Sequence, residues 1–249
     1  MRLLITGASG LLGLNLSLLA QDLGHEVLGF VNSHPIQGAP FAVRVVDLLD
    51  MPSALNALEE SKPNGIIHCA ALADLGEAER SPLLAQEMNV DVPGMIAEAA
   101  LERNIPLIHI STDAVFDGKK GGYIETDPPN PLSVYARTKL AGERIVLEKN
   151  PNALVARVVF YGWSLSGKRS ISEFFYNHLK DGQPVKGFID TFFSPLYVED
   201  LGRILLDMLV SKLKGIYHVV SPDSLSKYDF GVKIAERFGF DPGLIAVSY

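Results

Sequence analysis

Cysteine is nearly missing from this chain. Cys69 is the single thiol in 249 residues, so no internal disulfide can staple it. It sits in the apolar run Ile66-Ile-His-Cys-Ala-Ala71, where a packed core thiol fits better than a nucleophile. Positive charge is also short: 22 Lys and Arg stand against 29 Asp and Glu, a net charge of −7. That balance argues against nucleic acid and anionic membranes as principal partners, and leaves room only for a local basic patch facing a phosphorylated ligand. One charge-free stretch, Leu3 to Gln21, is long enough to raise the question of a membrane span or leader. Three glycines, Asn15 and Ser17 within it suit a membrane helix poorly, so neither is read there and the chain is expected to be cytoplasmic.

What the chain has in quantity is hydrophobic residues, 47 % of the total, enough for one large domain or one domain with a small lobe. Its organising stretch is Met1 to Gly13. Leu3, Leu4 and Ile5 read as a strand buried on both faces. Gly7, Gly10 and Gly13 follow three apart, and a helical pattern starts at Leu11. Strand, glycine turn and helix aim backbone N–H groups and a helix N-terminus at a phosphate. Gly7 permits the tight turn, Gly10 the approach of a pyrophosphate, and Gly13 close packing of helix on strand.

Strands are expected near 2–6, 26–31, 43–46, 65–70, 106–111 and 153–160, with helices near 11–23, 51–61, 82–103 and 133–149. That alternation defines an α/β fold with a doubly wound parallel sheet. The second strand ends in Val31-Asn32-Ser33-His34, with neither an acid for a ribose nor an arginine for a 2′-phosphate. Asn32 and Ser33 lean the reading toward NADP, with NAD as the alternative and a plain solvated loop as the bland one. Asp47, before Leu48, reads either as an acceptor for an adenine amino group or as part of a helix start. Ala70 and Ala71 are small enough for a backbone passing close to a cofactor. Asn89 lies mid-helix, either functional or merely exposed. The strand ending in Ser111-Thr112, before Asp113, puts Thr112 at the crevice, and a twenty-residue connection rich in Gly and Pro follows.

Tyr135 and Lys139 stand four apart on one helix face behind the cap Ser133. An ammonium beside a phenol is expected to lower the tyrosine pKa and make it a usable proton donor or acceptor at a carbonyl. Alone, that spacing is a surface pair in any helix; after a glycine-turn strand and a strand ending in Ser-Thr it points to an active site.

The stretches Thr6-Gly-Ala-Ser-Gly-Leu-Leu-Gly13, Ile110-Ser-Thr-Asp-Ala-Val-Phe-Asp-Gly118, Tyr123-x-Glu125, Pro128-Pro-Asn-Pro131 and Tyr135-Ala-Arg-Thr-Lys-Leu-Ala-Gly-Glu143 resemble the extended short-chain dehydrogenase/reductases, in their dTDP-4-dehydrorhamnose reductase branch. The resemblance spans the chain, more loosely past residue 160. It implies a Rossmann-type sheet with a small C-terminal substrate lobe, and NAD(P)H-dependent reduction of a nucleotide-activated 4-keto sugar. Tyr135 then protonates the nascent alkoxide, Lys139 tunes it and bonds the nicotinamide ribose, and Thr112 bonds the substrate oxygen. The cofactor is expected along Gly7, Ser9, Gly10, Leu11, Leu12, Gly13, Asn32, Ser33, Asp47, Leu48, Ala70, Ala71, Leu72 and Asn89. The substrate is expected beside Asp113, Val115, Phe160, Trp163, Lys168 and Arg169. A homodimer is left open, and no metal is implied.

Three departures fall on the substrate side: Ala114 in place of tyrosine, Phe160 in place of tryptophan, and Asp190-Thr-Phe-Phe-Ser-Pro195 in place of Asp-Gln-x-Gly-x-Pro. The same branch holds the regulatory β subunit of methionine adenosyltransferase, so a cofactor-binding regulatory or scaffold subunit is the alternative. An epimerase or dehydratase is a third reading, weakened because no glutamate follows Asp113. The nucleotide domain is expected over 1–160 and the lobe over 161–249, interleaved with the last sheet elements. Helices are expected near 171–181, 198–211 and 226–239, and short strands near 184–188 and 215–220. Residues 241–249 read as the opening of a further segment, so the lobe is expected to be incomplete.

Overall fold

The computed structural model describes residues 1–34 and 36–249. They form two compact units, Met1–Val158 with Gly202–Val219, and Val159–Leu201 with Val220–Tyr249. The expected division at residue 160 thus falls two residues late, and the first unit also takes back a later segment.

The first unit opens with β1 (Arg2–Thr6), α1 (Leu11–Asp22), β2 (Glu26–Val31), β3 (Ala42–Val45), α2 (Met51–Ser61) and β4 (Gly65–His68). It continues through α3 (Leu75–Arg80), α4 (Pro82–Gln86), α5 (Val92–Glu102), β5 (Leu107–Thr112), α6 (Val134–Lys149) and β6 (Leu154–Val158). The second unit holds β7 (Phe160–Tyr161), α7 (Ile171–Lys180), β8 (Val185–Phe188), β9 (Phe192–Phe193) and β10 (Leu196–Tyr197). Most of α8 (Val198–Val210) and all of β11 (Gly215–Val219) return to the first unit; β12 (Leu225–Ser226), α9 (Lys227–Phe238) and β13 (Ile245–Ser248) complete the second.

Seven strands form one parallel sheet in the order β11-β6-β5-β4-β1-β2-β3. Its central strands are apolar on both faces: Leu3, Leu4, Ile5, Ile66 and Ile67 are wholly buried, as strands covered by helices on two sides must be. Strand order reverses between β1 and β4, and the ligand crevice of such a sheet opens there, at the carboxyl ends.

The single helix expected over 82–103 is interrupted by a π turn at Glu87–Asp91. Pro93 is the reason. It has no N–H to give the carbonyl of Asn89, four residues back, and its ring crowds that oxygen, so the helix widens by one residue. The expected strand 153–160 stops at Val158, and Phe160–Tyr161 pair in parallel with β10. The second unit packs α7 and α9 on β8 around Phe175, Leu179, Val185, Phe230, Ile234 and Ile245. Residues 245–248, read as leading elsewhere, pair in parallel with β8, Ile245 opposite Val185.

Candidate active site

The glycine turn follows β1. Gly7 takes φ +65°, and a Cβ there would lie 2.8 Å from the backbone of Ala70, so both conformation and space require glycine. Gly10 N–H donates to Gly7 O at 2.8 Å and closes the turn. A Cβ on Gly13 would overlap Gly7 O: this glycine lets α1 pack on the turn itself. Gly10 caps α1 without a side-chain hydrogen bond, and no acid stands in its first turn. A helix start with no side chain of its own on its amides suits an anion. Leu12 is buried, so only its backbone can serve such a ligand, whereas Ser9 and Leu11 are half-buried.

At the far edge, Asn32 Nδ2 donates to Asp47 Oδ1 at 3.4 Å, and Asp47 also accepts from Leu49 N–H at 3.1 Å. Ser33 Oγ lies 2.9 Å from His34 Nδ1. The sequence-picked Asn32, Ser33 and Asp47 therefore border one exposed corner, while the Leu48 side chain is buried in the core.

Beyond β4, Ala70, Ala71 and Leu72 run half-buried beside Gly7. Asn89 corrects an expectation. It is wholly buried rather than exposed, with both ends of its amide engaged. Its Oδ1 accepts from Leu72 N–H at 2.9 Å, and its Nδ2 donates to Leu72 O at 3.1 Å and to Thr138 Oγ1 at 3.0 Å. It clamps the crevice backbone to α6. Gly142 completes the clamp, since a Cβ there would overlap the Asn89 carbonyl that the π turn leaves out of line.

Thr112, at the end of β5, faces the phenol of Tyr135 on α6. Its hydroxyl also accepts from Ala114 N–H at 3.1 Å and lies 3.2 Å from Asp113 Oδ1. Ser133 caps α6 by accepting from Ala136 N–H, which fixes Tyr135 in the first turn. The phenol pKa is raised: burial dominates, Thr112 opposes it, and Asp113 adds to it. This reverses the expected lowering by Lys139, whose ammonium faces the strand instead, donating to Ile110 O at 2.6 Å and lying 3.4 Å from His109 Nε2. Burial pulls Lys139 down to about 8, against the opposing pull of Glu143 and Cys69. Val115, expected against the substrate, is wholly buried and accepts Asn130 N–H through its carbonyl; Asp113 beside it is exposed.

Three residues that the motif reading passed over stand behind this set. Glu143 accepts from Ser111 Oγ at 2.5 Å and from Arg157 Nη2 at 2.7 Å and Nε at 2.9 Å. Arg157 also covers the Phe116 ring and reaches His218 Nε2 at 3.3 Å. The signal for Glu143 was its spacing, four residues past Lys139. The connection 113–132 is tied down by Asp117, which accepts from Tyr123 Oη at 2.6 Å and Asn130 Nδ2 at 3.0 Å. These two bonds and Lys119 N–H hold its carboxyl down at about 2.

In the second unit, Phe160 lies in β7 and Trp163 packs edge-on against Tyr176 and Phe238. Lys168 and Arg169 border a cleft of about 450 Å³ with Lys186, Lys227, Phe174 and Phe188.

A doubly wound parallel sheet, a glycine turn after β1 and a Thr–Tyr–Lys set on β5 and α6 define an extended short-chain dehydrogenase/reductase. Within that class, the chain belongs to the RmlD substrate binding domain family, matched over residues 1–248. The "Probable low-salt glycan biosynthesis reductase Agl14" of Haloferax volcanii is 35% identical over 249 residues, 98% of this chain and 82% of that protein. The methionine adenosyltransferase 2 subunit beta of Bos taurus is 33% identical over 248 residues, 95% of this chain and 72% of that one. A hypothetical dTDP-4-dehydrorhamnose reductase from Sulfolobus tokodaii superposes with TM-score 0.87 at 34% identity, covering 100% of this chain and 86% of that one. The dTDP-4-dehydrorhamnose reductase of Bacillus anthracis, in complex with NADP, gives TM-score 0.86 at 27% identity, covering 99% and 82%.

Proposed function

We propose that this protein reduces the 4-keto group of a nucleotide-activated sugar, with NADPH as donor and NADH as the alternative. The observation that carries the reading is Thr112 facing the Tyr135 phenol, with the buried Lys139 one helical turn further along. The residues at the crevice fit a dinucleotide. Gly7 makes a positive-φ turn packed too tightly on the Ala70 backbone for any Cβ, α1 starts without a side-chain cap, and the Asn32–Ser33 corner carries hydroxyl and amide rather than a ribose-directed acid. Gly7, Gly10 and Gly13 would hold the pyrophosphate.

When bound, the nicotinamide supplies the hydride. Thr112 hydroxyl orients the carbonyl oxygen, and Tyr135 Oη gives that oxygen its proton as negative charge develops there. The raised phenol pKa serves this direction of reaction, since it keeps the transferable proton on Tyr135 at neutral pH. Lys139, charged below about 8, would bond the nicotinamide ribose. The four cations bordering the cleft in the second unit suit the diphosphate of the activated sugar, and Phe174 and Phe188 suit its base. The single reduced thiol agrees with a cytoplasmic setting, where nucleotide sugars are drawn on.

The Ala114, Phe160 and 190–195 departures favour one second reading, a cofactor-binding regulatory subunit with little turnover. Calorimetric titration with NADPH and NADH, then with nucleotide diphosphate sugars, separates the two when nicotinamide absorbance is followed alongside. Oxidation of the cofactor on adding a 4-keto sugar supports the reductase. Tight cofactor binding with no sugar binding supports the regulatory subunit. Binding of neither cofactor overturns both.

A further inference from the structure

β1, β4 and β5 each place one polar residue in the same cross-strand row: Thr6 pairs with His68, and His68 with His109. All three are buried among Leu and Ile. Thr6 Oγ1 accepts Ala70 N–H at 3.2 Å and lies 2.7 Å from His68 Nδ1. The two imidazoles stack with centroids 5.4 Å apart. His109 Nε2 then meets Lys139 Nζ. The row leads from the residue before the glycine turn to the lysine of the active site.

An ammonium has donors and no acceptor, so His109 Nε2 must present its lone pair and the ring proton must sit on Nδ1. A charged imidazole is untenable here, because burial and the neighbouring Lys139 both depress the His109 pKa. The other groups facing the lysine are few. Glu143 lies on its own helix but is shared with Ser111 and Arg157. Cys69 and His68 come from β4 and the residue after it; burial keeps the first a thiol, at about 12, and the second neutral, at about 3. The carbonyl of Ile110 and the His109 ring come from β5. Among the described residues, His109 is the one side chain within hydrogen-bond distance of the ammonium.

We propose that His109 is a positioning residue, a neutral ring locked as the Nδ1–H tautomer that holds the Lys139 ammonium against β5 and sets how far into alkaline pH the lysine stays charged. The proposal rests on reading Lys139 as part of the catalytic set. His68 holds the ring only by stacking, and among the described residues His109 Nδ1 has no hydrogen-bond partner, so the bond to the ammonium alone selects the tautomer. A leucine or isoleucine in the same place would pack as well and leave one N–H of the ammonium without an acceptor.

Long-range proton–nitrogen spectra of the histidines in the whole protein test the tautomer directly. The expected result is a His109 ring protonated on Nδ1, bare on Nε2 and untitrated through the neutral range; a proton on Nε2 overturns the proposal. The second test follows the Lys139 Cε shift with pH in the wild type, His109→Gln and His109→Leu. The midpoint of about 8 is expected to hold in His109→Gln, whose amide oxygen can replace the acceptor. In His109→Leu the charged fraction at that pH should fall about threefold or more. An unchanged midpoint in His109→Leu overturns the proposal. Should that variant fail to fold by circular dichroism, the wild-type spectra decide. None of these readouts needs a substrate, so failure of the reductase reading shows separately, as Tyr135→Phe with undiminished reduction.

Discussion

Glu143 and Arg157 meet at 2.7 Å with side chains only 2 and 3 % exposed, inside the seam between α6 and the sheet. Removing one partner strands the other charge away from water. Arg157→Met is therefore expected to destabilise the fold by about 3–5 kcal/mol in urea melts, and the double variant Glu143→Leu/Arg157→Met to recover most of it. Recovery of stability should not bring back activity at alkaline pH, because Glu143 also supports the charge of Lys139. A double variant as unstable as the single one would show that packing, not pairing, is the issue.

Tyr135→Phe removes the transferable proton and little else. Turnover is expected to fall about 10²–10⁴-fold, with cofactor affinity by calorimetry unchanged. A loss of cofactor binding of the same size would instead make the phenol a binding group.

Lys139 gives two readings of one titration. Its folded pKa of about 8 lies below the ordinary lysine value, so across that window the unfolded chain holds more protons and stability rises with pH. Below about pH 8 the buried ammonium is a cost. Lys139→Met should melt at higher urea than the wild type at pH 7, by on the order of 1–3 kcal/mol, with the gap closing toward pH 10. Wild-type turnover should decline over the same alkaline limb. A wild type more stable than the variant at pH 7 would contradict the sign.

The motifs exposed much of this arrangement because the chemistry is local to strand ends and one helix turn. Gly7, Gly10 and Gly13 announce a turn; Tyr135 and Lys139 announce a helix face. The pattern did not show which way Lys139 faces. That depends on Ile110 O and His109, which only the sheet brings within reach. The two histidines did leave a trace, each a polar residue inside an apolar strand run, Ile66-Ile-His and Leu107-Ile-His-Ile. The clamp made by Asn89 was not legible, since the pattern carries no sign of the Leu72 turn that it bonds. That later residues rejoin the sheet was legible, as was a strand near 215–220; its pairing with β6 was not, since a strand's partners are not local.

Two glycines with positive φ separate conformation from space. Gly24→Ala meets nothing within 4 Å and should cost only about 1–2 kcal/mol. Gly7→Ala adds a collision with the Ala70 backbone, and should cost markedly more and weaken cofactor binding by about tenfold or more. Equal effects of the two in thermal melts would mean that Ala70 yields.

Arg169→Ala and Lys227→Ala bear on the cleft of the second unit. Each is expected to raise the KM for the nucleotide sugar several-fold, since a charge-assisted hydrogen bond to a phosphate oxygen contributes about 1 kcal/mol here. The KM for NADPH should stay unmoved. An unchanged sugar KM in both would take the diphosphate elsewhere.

The sheet's outermost strand has a consequence for how the chain comes to be made. β6 is finished at Val158, yet its neighbour β11 arrives only with Gly215–Val219, after the intervening chain of the second unit. A nascent or proteolysed chain ending at Val158 would hold Thr112, Tyr135 and Lys139 and still present an open, apolar sheet edge. It would also lack His218, which ties Arg157 to the Tyr123 carbonyl. Such a fragment should stick to itself or to a chaperone rather than work, and its open edge closes only once residues 215–219 are made and pair with β6.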